Sequence, residues 1–242
     1  MKRIVITAGD ARVGKSTTSR LLLDMYLAEG VNVRAVYSGH RNKLDAYGKY
    51  LKIDKFNLAR GDYDEFIGSL ELIDDIEVVL MDMPGQILPE FVKFARMTYL
   101  LEGLHAIGYR VTFLHPISYR QDCVGYLHDL TAEFQNKADY VVVKNECFGK
   151  GFAYYDGREI ESTIKQLNGI TMDLPVLNKS VYSKLDEVGC TYSDAAARMA
   201  GELASKIPVI ERSFVFTWLN KFRYTIESNS ELLKYFGLVV SS

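Results

Sequence analysis

The stretch Gly9-Asp10-Ala11-Arg12-Val13-Gly14-Lys15-Ser16 restricts this chain to very few folds. It fits Gly-x-x-x-x-Gly-Lys-[Ser/Thr], a pattern that works only between a strand and a helix. Both neighbours are present: Lys2-Arg3-Ile4-Val5-Ile6-Thr7-Ala8 is apolar and β-branched, and Thr17-Thr18-Ser19-Arg20-Leu21-Leu22-Leu23 reads as a helix. Glycines let such a loop curl until successive N–H groups face one anion, and the helix start adds partial positive charge. Gly9, Asp10, Ala11, Arg12, Val13, Gly14, Lys15, Ser16 and Thr17 are therefore the expected phosphate-binding residues. Lys15 supplies a mobile charge for the β- and γ-phosphates, and Ser16 a hydroxyl for Mg²⁺.

Further along, strands alternate with helices. Residues 2–8, 31–37, 76–82, 109–115, 139–144 and 170–174 read as strands, with a short edge strand at 52–58. Helices are expected at 15–29 (stopped by Gly30), 44–51, from Asp62, from Pro89 to Ile107, from 118 or 119 to 136, at 160–167, and from Thr191 onward. Asp156-Gly157 is either a hairpin turn or part of a loop leading into the next helix. The alternation implies an α/β fold, a mostly parallel central sheet flanked by helices in three layers. With 242 residues, 48% of them hydrophobic, the chain suits a single domain over 1–242, its last part (about 205–242) a helical extension.

Ile76-Glu77-Val78-Val79-Leu80-Met81 ends in Asp82, which falls at the carboxyl edge of the sheet where ligands of such folds collect. A Mg²⁺ ion at the phosphates needs such a carboxylate, so Ser16 and Asp82 form the expected metal pair. Met83-Pro84-Gly85 then turns beside the γ-phosphate, where the Gly85 N–H can report its presence.

These residues resemble the ParA/MinD group of P-loop ATPases: an N-terminal phosphate loop, then a strand ending Asp-x-Pro-Gly some seventy residues on. The resemblance covers the layout of residues 1–180, with motif-grade matches at the loop, the Asp82 turn and Val141-Val142-Val143-Lys144-Asn145. It implies bound ATP and Mg²⁺, Asn145 bonded to the adenine, a nucleotide-dependent homodimer, and a role in plasmid or chromosome positioning. Asp82-Met83-Pro84-Gly85-Gln86 and Val143-Lys144-Asn145-Glu146 are similar to the plasmid stability StbB branch.

Two departures stand out. The group carries a lysine after the first loop glycine that reaches across the dimer; here that residue is Asp10. Arg12, Arg41 and Lys43 are candidates for a substitute charge, Arg12 inside the loop joining Lys15 and Asp82 as the catalytic set. The group's acid after the second strand is replaced by Tyr37-Ser38-Gly39-His40, with Asp45 the nearest carboxylate. Slow or partner-stimulated hydrolysis is the expectation. The form Asp10-x-x-Val13-Gly14-Lys15 is also close to the dethiobiotin synthetase loop, which leaves a small-molecule kinase or ligase, with an acceptor pocket near Tyr119 and Arg120, as the alternative. A nucleotide-binding adaptor without hydrolysis is the third reading.

Net charge is −2, so nucleic-acid binding would need a local patch. Arg41, Lys43, Lys49, Lys52, Lys55 and Arg60, interleaved with Tyr47, Tyr50 and Phe56, make residues 41–60 that candidate. Solvated, mutually paired faces are the favoured alternative. Cys123, Cys147 and Cys190 are too sparse for a disulfide or zinc framework and suit a reducing cytoplasm. The first strand begins at once, leaving no room for a signal peptide, and no apolar run is long enough to span a bilayer. In the tail, Phe214, Trp218, Leu219, Phe222 and Ile226 recur at helical spacing, and packing on the sheet is favoured over membrane contact.

Overall fold

The computed structural model describes residues 1–38, 43–55, 68–70, 75–197 and 206–238. Seven parallel strands form one sheet in the order β3-β2-β4-β1-β5-β6-β7. They are β1 (Lys2–Thr7), β2 (Val33–Tyr37), β3 (Ile53–Lys55), β4 (Val78–Asp82), β5 (Tyr109–Ile117), β6 (Asp139–Asn145) and β7 (Ile170–Leu174). Alternate side chains of the central strands enter two separate cores, which is why these strands read as continuous apolar runs. Ile4, Val79, Met81, Val111, Phe113 and Val142 face one layer, Val5, Val78, Leu80, Leu114 and Val141 the other.

The first layer holds α2 (Leu88–Thr98), α3 (Leu100–Ala106), α4 (Gln121–Phe134) and α5 (Glu159–Gln166). Expected as one helix, α2 and α3 are separated by Tyr99 at φ 50°. The reason is in the burial. Leu88, Phe91 and Ala95 face the core in α2, and Leu100, Leu101 and Leu104 do so in α3. On an unbroken helix the two groups would lie about half a turn apart. The left-handed residue turns the second group inward, leaving its own ring exposed.

The second layer holds α1 (Lys15–Glu29), α6 (Lys179–Val188), α7 (Tyr192–Ala196), α8 (Val209–Glu227) and α9 (Ser230–Phe236). Gly30 ends α1 at φ 68°, as expected of a C-cap glycine. Residues 44–51 form only a short 3₁₀ turn at Asp45–Tyr47, and the Asp156-Gly157 segment is a loop leading into α5. α6 was not anticipated, although Asn178, which accepts the Ser180 N–H at 2.9 Å, is an ordinary N-cap signal. The helix expected from Asp62 lies outside the described residues except for 68–70, which are helical.

The C-terminal extension closes this layer. Val215, Trp218, Phe222 and Ile226 of α8 and Leu232, Tyr235 and Phe236 of α9 are buried, and the Tyr26 hydroxyl donates to Phe236 O at 2.8 Å. At the opposite edge of the sheet from the phosphate loop, buried Arg3 pairs with Asp139 and lies over the Tyr235 ring. Among the described residues, no helix is long and apolar enough to cross a membrane. Packing of α8 has a measurable consequence. Phe222→Ala is expected to cost about 3–5 kcal/mol in urea unfolding, whereas Phe214→Ala, on the exposed side, should stay within about 0.5 kcal/mol.

Candidate functional site

β1 and β4 run in register with Thr7 opposite Asp82, so the loop after β1 and the turn after β4 leave the sheet side by side. The Thr7 hydroxyl donates to Asp82 Oδ1 at 3.0 Å, and the Ser19 hydroxyl, one turn into α1, donates to the same oxygen at 3.2 Å. Asp82 is buried, and burial pushes its carboxyl above the usual range, opposed by hydroxyl bonds from Ser16, Thr7 and Ser19 and by the Lys15 charge. A buried carboxylate with hydroxyl partners, beside the Ser16 hydroxyl, is the hard oxygen set that suits Mg²⁺. Among the described residues no group of three or more His, Cys, Asp or Glu forms a metal cluster. A magnesium ion would therefore take Ser16, Asp82 and oxygens from phosphate and water.

Lys15 is also buried, which lowers its pKa against the opposing pull of Asp82 and Asp10. Its Nζ donates to the carbonyls of Gly9 at 3.2 Å and Asp10 at 2.5 Å, so the lysine bridges its own loop. Gly14 sits at φ 101°, and a Cβ there would come within 2.3 Å of the Asn145 amide nitrogen. Conformation and space both demand glycine. Gly85 is needed for space alone: its Cβ would lie 2.8 Å from Ala11 Cα, so the Asp82–Gly85 turn rests directly on the loop.

These elements border a cleft of about 610 Å³. One end of it is Ala11, Arg12, Gly14, Lys15, Ser16, Thr17 and the Met83-Pro84-Gly85 turn. Its far end is Asn145, Cys147, Phe148, Leu174, Pro175, Leu177, Tyr182 and Trp218, mostly apolar and aromatic. Arg12, Lys15, Lys43 and Lys179 line it with no carboxylate among the described lining residues. That imbalance fits an anion carrying a planar apolar group.

Of the expected site residues, Gly9, Asp10, Val13 and Asp82 stand behind the cleft wall rather than on it. Asn145 lines the cleft and also braces the loop: its amide donates to Val13 O at 2.9 Å, and its Oδ1 accepts the Cys147 N–H at 3.1 Å. One amide hydrogen and one lone pair are left for a base. Arg12 faces the cleft mouth with φ 61°. Lys43 lines it too, held by Asp186 at 3.0 Å. Gly39, His40 and Arg41 lie outside the described residues. Arg120 turns onto the loop, and Tyr119 is exposed. Within 41–60, Lys43, Lys49 and Lys52 pair with Asp186, Asp194 and Asp54. Lys179, Tyr182 and Trp218 were not foreseen at the site. The Asn178 cap was the available signal for the first two.

No protein-family model and no curated protein matches the chain. Solved structures do. A chain of the MinC:MinD cell division protein complex of Aquifex aeolicus is 12% identical, with 93% of this chain and 96% of that one covered and a TM-score of 0.50. A nucleotide-binding protein from Archaeoglobus fulgidus, solved with ADP, is 15% identical over 78% of this chain and 86% of that one, with a TM-score of 0.46. The likeness is one of fold, a parallel sheet flanked by helices.

His115, beneath Gly9, gives the site a pH signature. Burial lowers its pKa from 6.5 to about 4, its Nε2 contacts Cys123 O at 3.0 Å, and its Nδ1 has no hydrogen-bond partner among the described residues. Such a group adds stability above its unfolded pKa and loses it as pH falls through its folded one. Wild type should lose about 3 kcal/mol more than His115→Gln as pH drops from 6.5 to about 4, read by urea unfolding.

Proposed function

We propose that the chain is an ATP-binding switch of the ParA/MinD type, which dimerises when ATP·Mg fills the cleft and acts in plasmid or chromosome positioning, the StbB branch being its expected setting. The observation that carries this reading is the cleft itself. Four cations line it, without a described carboxylate, between a phosphate loop and an apolar end of base size. Lys15 would leave the Gly9 and Asp10 carbonyls for the β- and γ-phosphates. Ser16 and Asp82 would hold Mg²⁺, which supplies charge neutralisation at the phosphates. Because Gly85 already rests on Ala11, a terminal phosphate arriving there must contact or displace the Asp82–Gly85 turn. With Asp10 in place of the group's lysine, hydrolysis is slow or awaits a partner protein. The activity is that of an ATPase working in the cytoplasm. Any DNA contact through residues 41–60 would compete with Asp186, Asp194 and Asp54 for the lysines, and would be weak and salt-sensitive.

Light scattering tests the switch. The particle mass should double with ATP·Mg, stay monomeric with ADP, and stay monomeric for Lys15→Ala with either; a monomer under every condition rejects it. Cys147 offers an independent reading of occupancy, being exposed in the cleft while Cys123 and Cys190 are buried. Saturating ATP should slow its alkylation, followed by intact mass. An unchanged rate would remove the apolar end of the cleft from the nucleotide site.

A further inference from the structure

Asp10, where the ParA/MinD group has lysine, is not left as a bare negative charge beside the phosphates. Its Oδ2 accepts from Arg120 Nη2 at 2.6 Å, and its Oδ1 accepts the Ala11 N–H at 2.6 Å. The same Arg120 nitrogen donates to Ala11 O at 2.7 Å. Both polar groups of Ala11 are thus taken by one ion pair, which reaches the loop from the segment joining β5 to α4. Ala11 is also the residue on which Gly85 rests, at the cleft's phosphate end. Asp10 is nearly buried and the Arg120 side chain about one-third exposed, so the pair is screened only in part.

We infer that Arg120 is a positioning residue for the terminal phosphate: by neutralising Asp10 and fixing Ala11, it sets how strongly the loop prefers a nucleoside triphosphate to a diphosphate. The inference rests on reading the cleft as a nucleotide site and adds a discriminator to it. A third phosphate brings extra negative charge to the Ala11–Gly85 end. With Arg120 in place that charge meets a neutral pair. Without Arg120 it meets the Asp10 carboxylate, whose desolvated position makes the repulsion strong. A diphosphate stops short of this point and is affected less. The arginine acts within its own subunit, through the loop, and needs no second chain.

The test is a double-mutant cycle on nucleotide binding, using full-length protein with Mg²⁺, ADP and a non-hydrolysable ATP analogue. Arg120→Ala should weaken the ATP analogue by about tenfold and ADP by about threefold or less. Asp10→Asn in that background should restore the analogue to within about threefold of wild type, and Arg120→Lys should retain most of the preference. Equal loss for both nucleotides, or no recovery in the double variant, would make the pair merely structural and overturn the inference. Should Arg120→Ala fail to fold, Asp10→Asn alone decides: it should tighten the analogue relative to ADP, and an unchanged ratio refutes the inference. Wild type that binds neither nucleotide refutes the underlying site and the inference with it.

Discussion

One carboxylate, Asp82, holds the phosphate loop to the sheet. Hydroxyls from the end of β1 and the first turns of α1 converge on it, so strand, loop, helix and the following turn share a single buried acceptor. Ser38 N–H reaches the Asp82 carbonyl at 3.0 Å and brings the end of β2 into the same junction. Burial of this carboxylate is costly, as the upward push on its pKa indicates, and the hydroxyls and the Lys15 charge offset that push only in part. A further cation beside it would relieve the remaining cost. The free protein thus holds at Asp82 a strained charge that its ligand would balance, one way to convert ligand charge into order at the neighbouring turn.

The helix behind the loop buries Leu21, Leu22, Leu23, Met25 and Tyr26 in the core, and polar contacts fasten a further side of it. Thr17 meets the Tyr182 hydroxyl at 2.8 Å, Arg20 bonds Asp186 at 2.7 Å and Cys190 O at 3.0 Å, and Asp24 accepts the Ser193 N–H at 3.0 Å. Their spacing of three and four residues places them on one side of α1, facing α6 and α7. Arg20 also lies over the Tyr192 ring, and Tyr47 donates to Asp24 at 2.5 Å. Since Asp186 binds Lys43 as well, this stripe runs from the cleft wall to the phosphate-loop helix.

The fold was legible from sequence wherever the cause was local. The loop, α1 with its terminal glycine, and the apolar runs of the central strands each follow from neighbours a few residues apart. The break at Tyr99 was not legible, because Arg96-Met97-Thr98-Tyr99-Leu100 contains no glycine or proline and the cause is a tertiary demand to bury three leucines. In the site, Lys15, Ser16 and Asp82 carry motif signatures. The partner of Asp10 does not, for it lies 110 residues away and becomes visible only when β5 is laid beside β1. The lysines of 41–60 looked like a patch in sequence, yet Lys43, Lys49 and Lys52 meet carboxylates, the first two on distant helices.

The Trp218 indole donates to the carbonyl of Pro175 at 2.7 Å, and both residues border the cleft. The two ends of this cleft are therefore made at different times in synthesis. The phosphate loop is made well before α8, which supplies the wall behind the apolar end. A nascent or truncated chain that lacks α8 has the anion cradle without its enclosure, so firm retention of a ligand would report that α8 had been made and packed.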